Sequence, residues 1–176
     1  MGDIVSFGET QSERTVDFYE KFASSALFAA LFREGMDLVK ETAAYLDGDG
    51  REQSARLDRD GALVYARESM QLTTRLMQMA SWLLLHRAVG EGEITSEESR
   101  SKANIVPISE IDVKLNEGAE VLPPSLCDLI LRAAGLQQRI ARLDAALLEK
   151  AGEGFKASDP LNAQLERIQS AFKKDL

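Results

Sequence analysis

Residues 57–90 read LDRDGALVYARESMQLTTRLMQMASWLLLHRAVG. Within this stretch Leu63, Met70, Met77 and Leu84 stand seven residues apart. A second apolar set, Tyr65, Leu72, Leu76, Met79 and Leu83, interleaves with the first. With Leu57 at 0° and a turn of about 100° per residue, the second set lies at roughly 40–100° and the first at about 180–240°. A surface helix in a small domain needs one apolar stripe facing the core. Two stripes predict a helix buried on two sides, and in a chain of 176 residues the second side is expected to meet another chain. That pattern belongs to an interaction protein rather than to an enzyme.

Outward from this segment, the helix is expected to run from about residue 52 to 90, ending at Gly90-Glu91-Gly92. At ~1.5 Å per residue it would exceed ~50 Å, a length that needs neighbours along most of its extent. Upstream, residues 1–14 read as a flexible tail, and Val16, Phe18, Tyr19 and Phe22 could anchor a short helix. Ser24 or Ser25 is the expected N-cap of a first long helix, about 24–47. Asp47-Gly48 is its expected stop, through left-handed glycine geometry. The apolar face of that helix is Leu27, Phe28, Leu31, Phe32, Val39 and Leu46, with Leu38 and Tyr45 beside it.

Downstream, residues 92–122 form a long acidic connection. Thr95 to Glu98 offers a capped first turn there, and Ile105-Val106-Pro107-Ile108 reads as extended. Pro123-Pro124-Ser125 opens a third helix, about 124–151, stopped by Gly152 and Gly154. Its seam is Leu126, Leu129, Ala133, Leu136, Ile140, Leu143 and Leu147, alternating three and four residues apart. Ile130 and Leu148 widen it. Gly35, Gly61 and Gly135 interrupt helix interiors at about 1 kcal/mol each, which suggests close approach of packed backbones. Residues 153–176 form a tail in which Asp159-Pro160 opens a short amphipathic helix with Leu161, Leu165, Ile168 and Phe172. These four are the candidate partner-binding residues.

The fold class is therefore all-α: an antiparallel three-helix bundle spanning residues 15–152, with a long central helix, a long acidic connection between the second and third helices, and flexible tails. The net charge of −8 argues against nucleic-acid binding, which needs clustered Lys and Arg. Between Glu91 and Val121 eight acids face three bases, so that segment alone carries −5. A solvated connection explains this more simply than a docking surface for a basic partner. No apolar run approaches a membrane span and the first residues have no signal-like apolar core. The single cysteine, Cys127, forms no internal disulfide, which fits a reducing compartment, and the cytoplasm is the expected location.

The catalytic inventory is thin. His86 is the one histidine and falls on the core stripe beside Met79 and Leu83, a structural position. Cys127, near a helix N-terminus, reads as a small buried cysteine, although that position can lower a thiol pKa. Asp47-Gly48-Asp49-Gly50 fails as a calcium loop at Arg51 and Asp58. No phosphate loop, nucleophile elbow or metal-ligand spacing is present, so no catalytic residue, metal or cofactor is expected. Glu68 and Arg75 share the core stripe two turns apart. With His86 they are the candidate buried polar network, expected to meet opposite charges such as Glu34, Lys40 or Arg132. A small-ligand pocket at Glu68, Arg75 and His86 is the alternative reading.

The segments LFREGM (31–36), ETAAYLDG (41–48), YARESMQLTTRLMQ (65–78), ASWLLLHRAV (80–89) and LPPSL (122–126) resemble the RcdA family of alphaproteobacterial regulatory proteins. The likeness covers most of residues 25–150 and fades in the acidic connection and both tails. The resemblance implies a three-helix-bundle homodimer that acts as an adaptor for the ClpXP protease, helping to deliver cell-cycle regulators such as CtrA. It further implies partnership with a CpdR-type response regulator and a PopA-type cyclic-di-GMP effector. It transfers no catalytic residue. On the residues themselves, the dimer seam is expected at Leu63, Met70, Met77 and Leu84, with Thr74 and Ser81 permitting close approach.

Overall fold

The computed structural model describes residues 21–95, 98, 108 and 113–156, with side chains to 149. Among these residues every regular element is helical. Helix α1 spans Ala26–Asp47, and Ser25 caps it, its hydroxyl accepting the Phe28 N–H at 3.1 Å. Phe28, Leu31, Gly35, Leu38 and Thr42 form its buried edge. Leu27, expected on that face, instead lies outside at 61% exposure, because the buried edge turns on the 28–31–35–38–42 ladder.

The segment expected as one helix from residue 52 is divided. Helix α2 is short, Asp49–Ser54, and α3 spans Arg59–Gly90. Asp58 makes the break: it is extended (φ −68°, ψ 176°), and its carboxylate accepts the Gly61 N–H at 2.7 Å. A short acidic side chain that satisfies an orphan N–H competes well with helix continuation. Gly61 thus serves its own cap rather than a neighbouring helix: a Cβ there would sit 2.9 Å from Asp58 Oδ1. Gly48 also departs from expectation. Its φ of −105° is not left-handed, and its N–H returns to the Ala44 carbonyl at 3.0 Å as the chain turns straight into α2. The expected glycine stop after α3 does hold, with Gly92 at φ +73°.

Helix α4, Pro124–Lys156, runs through Gly152 and Gly154, beyond the expected end near Ala151. Glycine weakens a helix interior by about 1 kcal/mol but keeps its N–H, so it need not end one. The seam residues Leu126, Leu129, Ala133, Leu136, Ile140 and Leu147 are all buried, joined by Ile130, while Leu148 is exposed.

The expected all-α bundle is what these helices form. Their directions depart from the antiparallel expectation in one pair, the second and third long helices. Gly90 at the end of α3 rests on Ala23 before α1, and Gly50 after α1 rests on Tyr65 near the start of α3, so these two helices are antiparallel. Glu34 pairs with Arg139 and Glu41 with Arg132, which makes α1 and α4 antiparallel as well. Helices α3 and α4 are therefore parallel, with Trp82 level with Asp144. Parallel neighbours need a long crossover connection, and residues 113–123 lie at its returning end. That segment returns to the start of α3, where Gly118 lies beside Val64 in a left-handed turn (φ +85°). A 3-10 turn, Ala119–Val121, then buries Ala119 and Leu122 before α4 begins.

All three long helices meet at Gly35. A Cβ there would collide with Leu83 Cδ1 and stand 3.7 Å from Leu136 Cδ2. The close approach expected of glycine is realised here, but not at Gly135, where a Cβ would find open space.

Candidate functional site

The core stripe of α3, Tyr65, Leu72, Leu76, Met79 and Leu83, is buried within the bundle. The other stripe faces outward. Leu63, Met70, Met77 and Leu84 are exposed by 64%, 72%, 67% and 53%. They follow one line along a helix that is otherwise clasped by α1 and α4. Thr74 Oγ1 donates to the Met70 carbonyl at 3.0 Å and Ser81 Oγ to the Met77 carbonyl at 2.9 Å. Thr73 does the same toward Ser69. These hydroxyls are satisfied by their own helix, so a surface lying across them need supply no polar partner. Beside Met77 lies an apolar notch of about 210 Å³ between α1 and α3, walled by Val39, Ala43, Leu46, Leu76 and Ala80. A ridge of four large exposed apolar side chains thus runs next to an apolar notch.

The candidate polar network separates into two places. Glu68 is 3% exposed and binds Asn116, whose Nδ2 donates to Oε1 at 3.1 Å and Oε2 at 2.9 Å. Arg67 Nε donates to Oε1 at 3.0 Å, and its Nη2 reaches the Glu117 carbonyl at 3.3 Å. The partners of Glu68 are thus its own neighbour and the connection, not Glu34, Lys40 or Arg132. Glu34 pairs with Arg139, Lys40 lies 3.8 Å from Asp37, and Arg132 grips Glu41 through two 2.7 Å bonds. That grip lowers the Glu41 pKa and raises that of Arg132. Arg75 is half-buried near Glu68. Burial lowers its pKa, and the Glu68 charge opposes that shift.

His86 stands 18 residues beyond Glu68 on the same helix, about 27 Å away at ~1.5 Å per residue, so it belongs to neither Glu68 nor Arg75. Its ring stacks on Trp82 at 3.8 Å between centroids, and its Nδ1 lies 2.9 Å from the Trp82 carbonyl. Phe22 and Phe28 close over it. Burial lowers its pKa, with the Trp82 carbonyl and Asp144 pulling the other way. Cys127 is half-buried, its thiol directed to the Ala119 carbonyl at 3.8 Å, and burial raises its pKa. The raised value suits the small buried cysteine of the sequence reading and not an activated nucleophile.

In the connection, Thr95 and Glu98 form the expected capping box. Glu98 Oε2 accepts from the Thr95 N–H at 3.0 Å, and Thr95 Oγ1 accepts from the Glu98 N–H at 3.2 Å. The candidate partner-binding residues Leu161, Leu165, Ile168 and Phe172 lie outside the described residues. Among the described residues no helix is long and apolar enough to cross a membrane.

Residues 19–172 match the family described as "Protein of unknown function (DUF1465)". No curated protein matches the chain. Among solved structures, RcdA from Caulobacter crescentus is 47% identical, with 73% of this chain and 96% of that chain covered and a TM-score of 0.60. The chain belongs to the RcdA family. Membership bears out the resemblance to this family read from the sequence. Within this RcdA-family chain the buried residues hold three helices together, and the stripe on α3 is exposed.

Proposed function

We propose that this chain is a non-enzymatic, homodimeric adaptor that helps deliver cell-cycle regulatory proteins to the ClpXP protease. One observation carries the reading: a member of the RcdA family presents Leu63, Met70, Met77 and Leu84 as a continuous exposed ridge on its central helix. An isologous contact between two such ridges removes apolar surface from both copies at once. The seam comprises these four residues with Thr74 and Ser81, whose hydroxyls are satisfied within the helix. The remaining surface, the acidic connection and residues 153–176 are then available to partners. In this reading the partners are a CpdR-type response regulator, a PopA-type cyclic-di-GMP effector, the protease and its substrates, and Leu161, Leu165, Ile168 and Phe172 contribute apolar anchors. The setting is the cytoplasm.

Reconstituted delivery tests it. ClpXP with a CpdR-type regulator, a PopA-type effector and a CtrA-like substrate should degrade the substrate faster when the full chain is added. Removal of residues 155–176 should reduce that acceleration. Unchanged degradation with and without the full chain would reject the adaptor reading.

A further inference from the structure

Helix α4 carries two apolar seams. The inner one, ending at Ile140, Leu143 and Leu147, packs into the core. The outer one begins at Ala145 and Leu148, both exposed, Leu148 by 48%. In the sequence it continues at Gly152 and Phe155, spaced three, four and three residues apart. Helix α4 also outruns its neighbours. Glu34 opposite Arg139 and Glu41 opposite Arg132 set Ala26, the start of α1, opposite Leu147. Trp82 level with Asp144 sets Gly90, the end of α3, level with Gly152. Residues 153–156 therefore extend beyond both helices, in a stretch that Gly152 and Gly154 weaken by about 1 kcal/mol each. A helix end of that composition needs a packing partner.

The next part of the chain fits that need. After Lys156 come Ala157 and Ser158, then Asp159-Pro160, a capping residue followed by a first-turn proline. Leu161, Leu165, Ile168 and Phe172 follow at spacings of four, three and four. Run backwards along α4, this seam keeps step with the outer one. Leu161 falls level with Phe155, Leu165 with Gly152, Ile168 with Leu148 and Phe172 with Ala145. The step sets a turn of about three residues at 157–159, within the range that joins antiparallel helices. The charged Glu166, Arg167, Lys173 and Lys174 all occupy heptad positions b and c, away from the seam.

We propose that residues 160–173 form a helix that folds back antiparallel on the outer seam of α4, in the register that sets Ile168 against Leu148. The occupant of that seam is this chain's own C-terminal segment, not a second copy or a separate protein. Docking depends neither on the α3 ridge nor on protease delivery. Its consequence for partners rests on the adaptor reading: the four apolar anchors assigned to partners are covered until a partner displaces them from α4.

Disulfide trapping in the full chain tests the register. In a Cys127→Ser background, Leu148→Cys with Ile168→Cys should close an intramolecular bond under mild oxidation, because facing seam positions lie within disulfide reach. Closure should be at least about tenfold faster than for Leu148→Cys with Leu161→Cys, which is one heptad, or about 10 Å, off register. Amide exchange gives a second reading. Residues 161–172 should be protected in the natural chain, and Leu148→Glu should remove that protection while exchange in the core of α3 stays unchanged. Equal closure rates for the two pairs overturn the proposal. So does a bond formed only between copies, which makes a second chain the occupant, or tail protection that survives Leu148→Glu. A failed degradation assay with the trapped register intact counts against the adaptor reading and leaves the docking supported.

Discussion

Trp82 Nε1 donates to Asp144 Oδ1 at 2.8 Å, joining α3 to α4 across 62 residues of sequence. The indole is 2% exposed, and its other face stacks on His86. One side chain thus fixes the parallel register of α3 on α4 and seats the aromatic cluster that closes the end of the bundle. Phe22, Phe28 and Phe32 complete that cluster, and Arg87 lies 5.0 Å above the Phe32 ring.

Removing the acceptor leaves a buried N–H without a partner. Asp144→Ala should destabilise the protein by about 1–3 kcal/mol, seen as a lower urea midpoint at unchanged slope. Asp144→Asn, which keeps an acceptor oxygen, should lose less. An equal loss in both variants would mean that the carboxylate acts through something other than the indole.

The glycines separate by what surrounds them. Gly35→Ala forces its Cβ into Leu83 and should cost about 1–3 kcal/mol. Gly135→Ala meets open space inside α4 and should stabilise by about 0.5–1 kcal/mol through helix propensity. Thermal unfolding of the two variants should therefore shift in opposite directions.

Much of this fold was legible because it is periodic. Tyr65 to Leu83 and Leu126 to Leu147 announce their buried faces by spacing alone, whereas the 63–70–77–84 line, read as a second buried side, is exposed in the single chain. The break at Asp58 was hidden because Ala55, Arg56, Leu57 and Arg59 are good helix formers, and a weak residue such as Asp60 or Gly61 need not end a helix. The cap bond to Gly61 decides against continuity. The pairs Trp82–Asp144, Glu68–Asn116, Glu41–Arg132 and Glu34–Arg139 were illegible for another reason: each joins separate elements, and no local spacing encodes which charge meets which. The direction of α4 depends on the path of the connection, whose sequence displays only its charge and its turns.

His86 should make stability fall in mild acid. Its folded pKa lies below the ordinary 6.5, so between 6.5 and the folded value the unfolded chain binds a proton that the folded chain does not. The stability associated with neutral His86 is present in full above pH 6.5 and is lost as pH drops toward the folded value. Glu41, also lowered, adds its own loss only as pH falls below about 4.5 and through its folded value. Urea unfolding at pH 7.5 and pH 5.5 should show this difference in the natural chain and a smaller one in His86→Gln. A pH dependence unchanged by that substitution would contradict the assignment.

The Glu68–Asn116 bonds hold the returning connection on α3. Asn116→Ala should cost about 1–3 kcal/mol and speed amide exchange in residues 113–118, because it strips a buried carboxylate of its amide partner. Combined with Glu68→Ala, the loss should be less than the sum of the two single changes, as a direct interaction requires.

The exposed ridge on α3 is the centre of the functional account, and solution mass tests it most directly. Light scattering on the full chain at micromolar concentration should give twice the 19.4 kDa chain mass. Met70→Glu combined with Met77→Glu should give 19.4 kDa with unchanged helical circular dichroism, since both side chains lie outside the core. A natural chain that weighs 19.4 kDa, or a double variant that keeps the dimer mass, would contradict the ridge as the seam between copies.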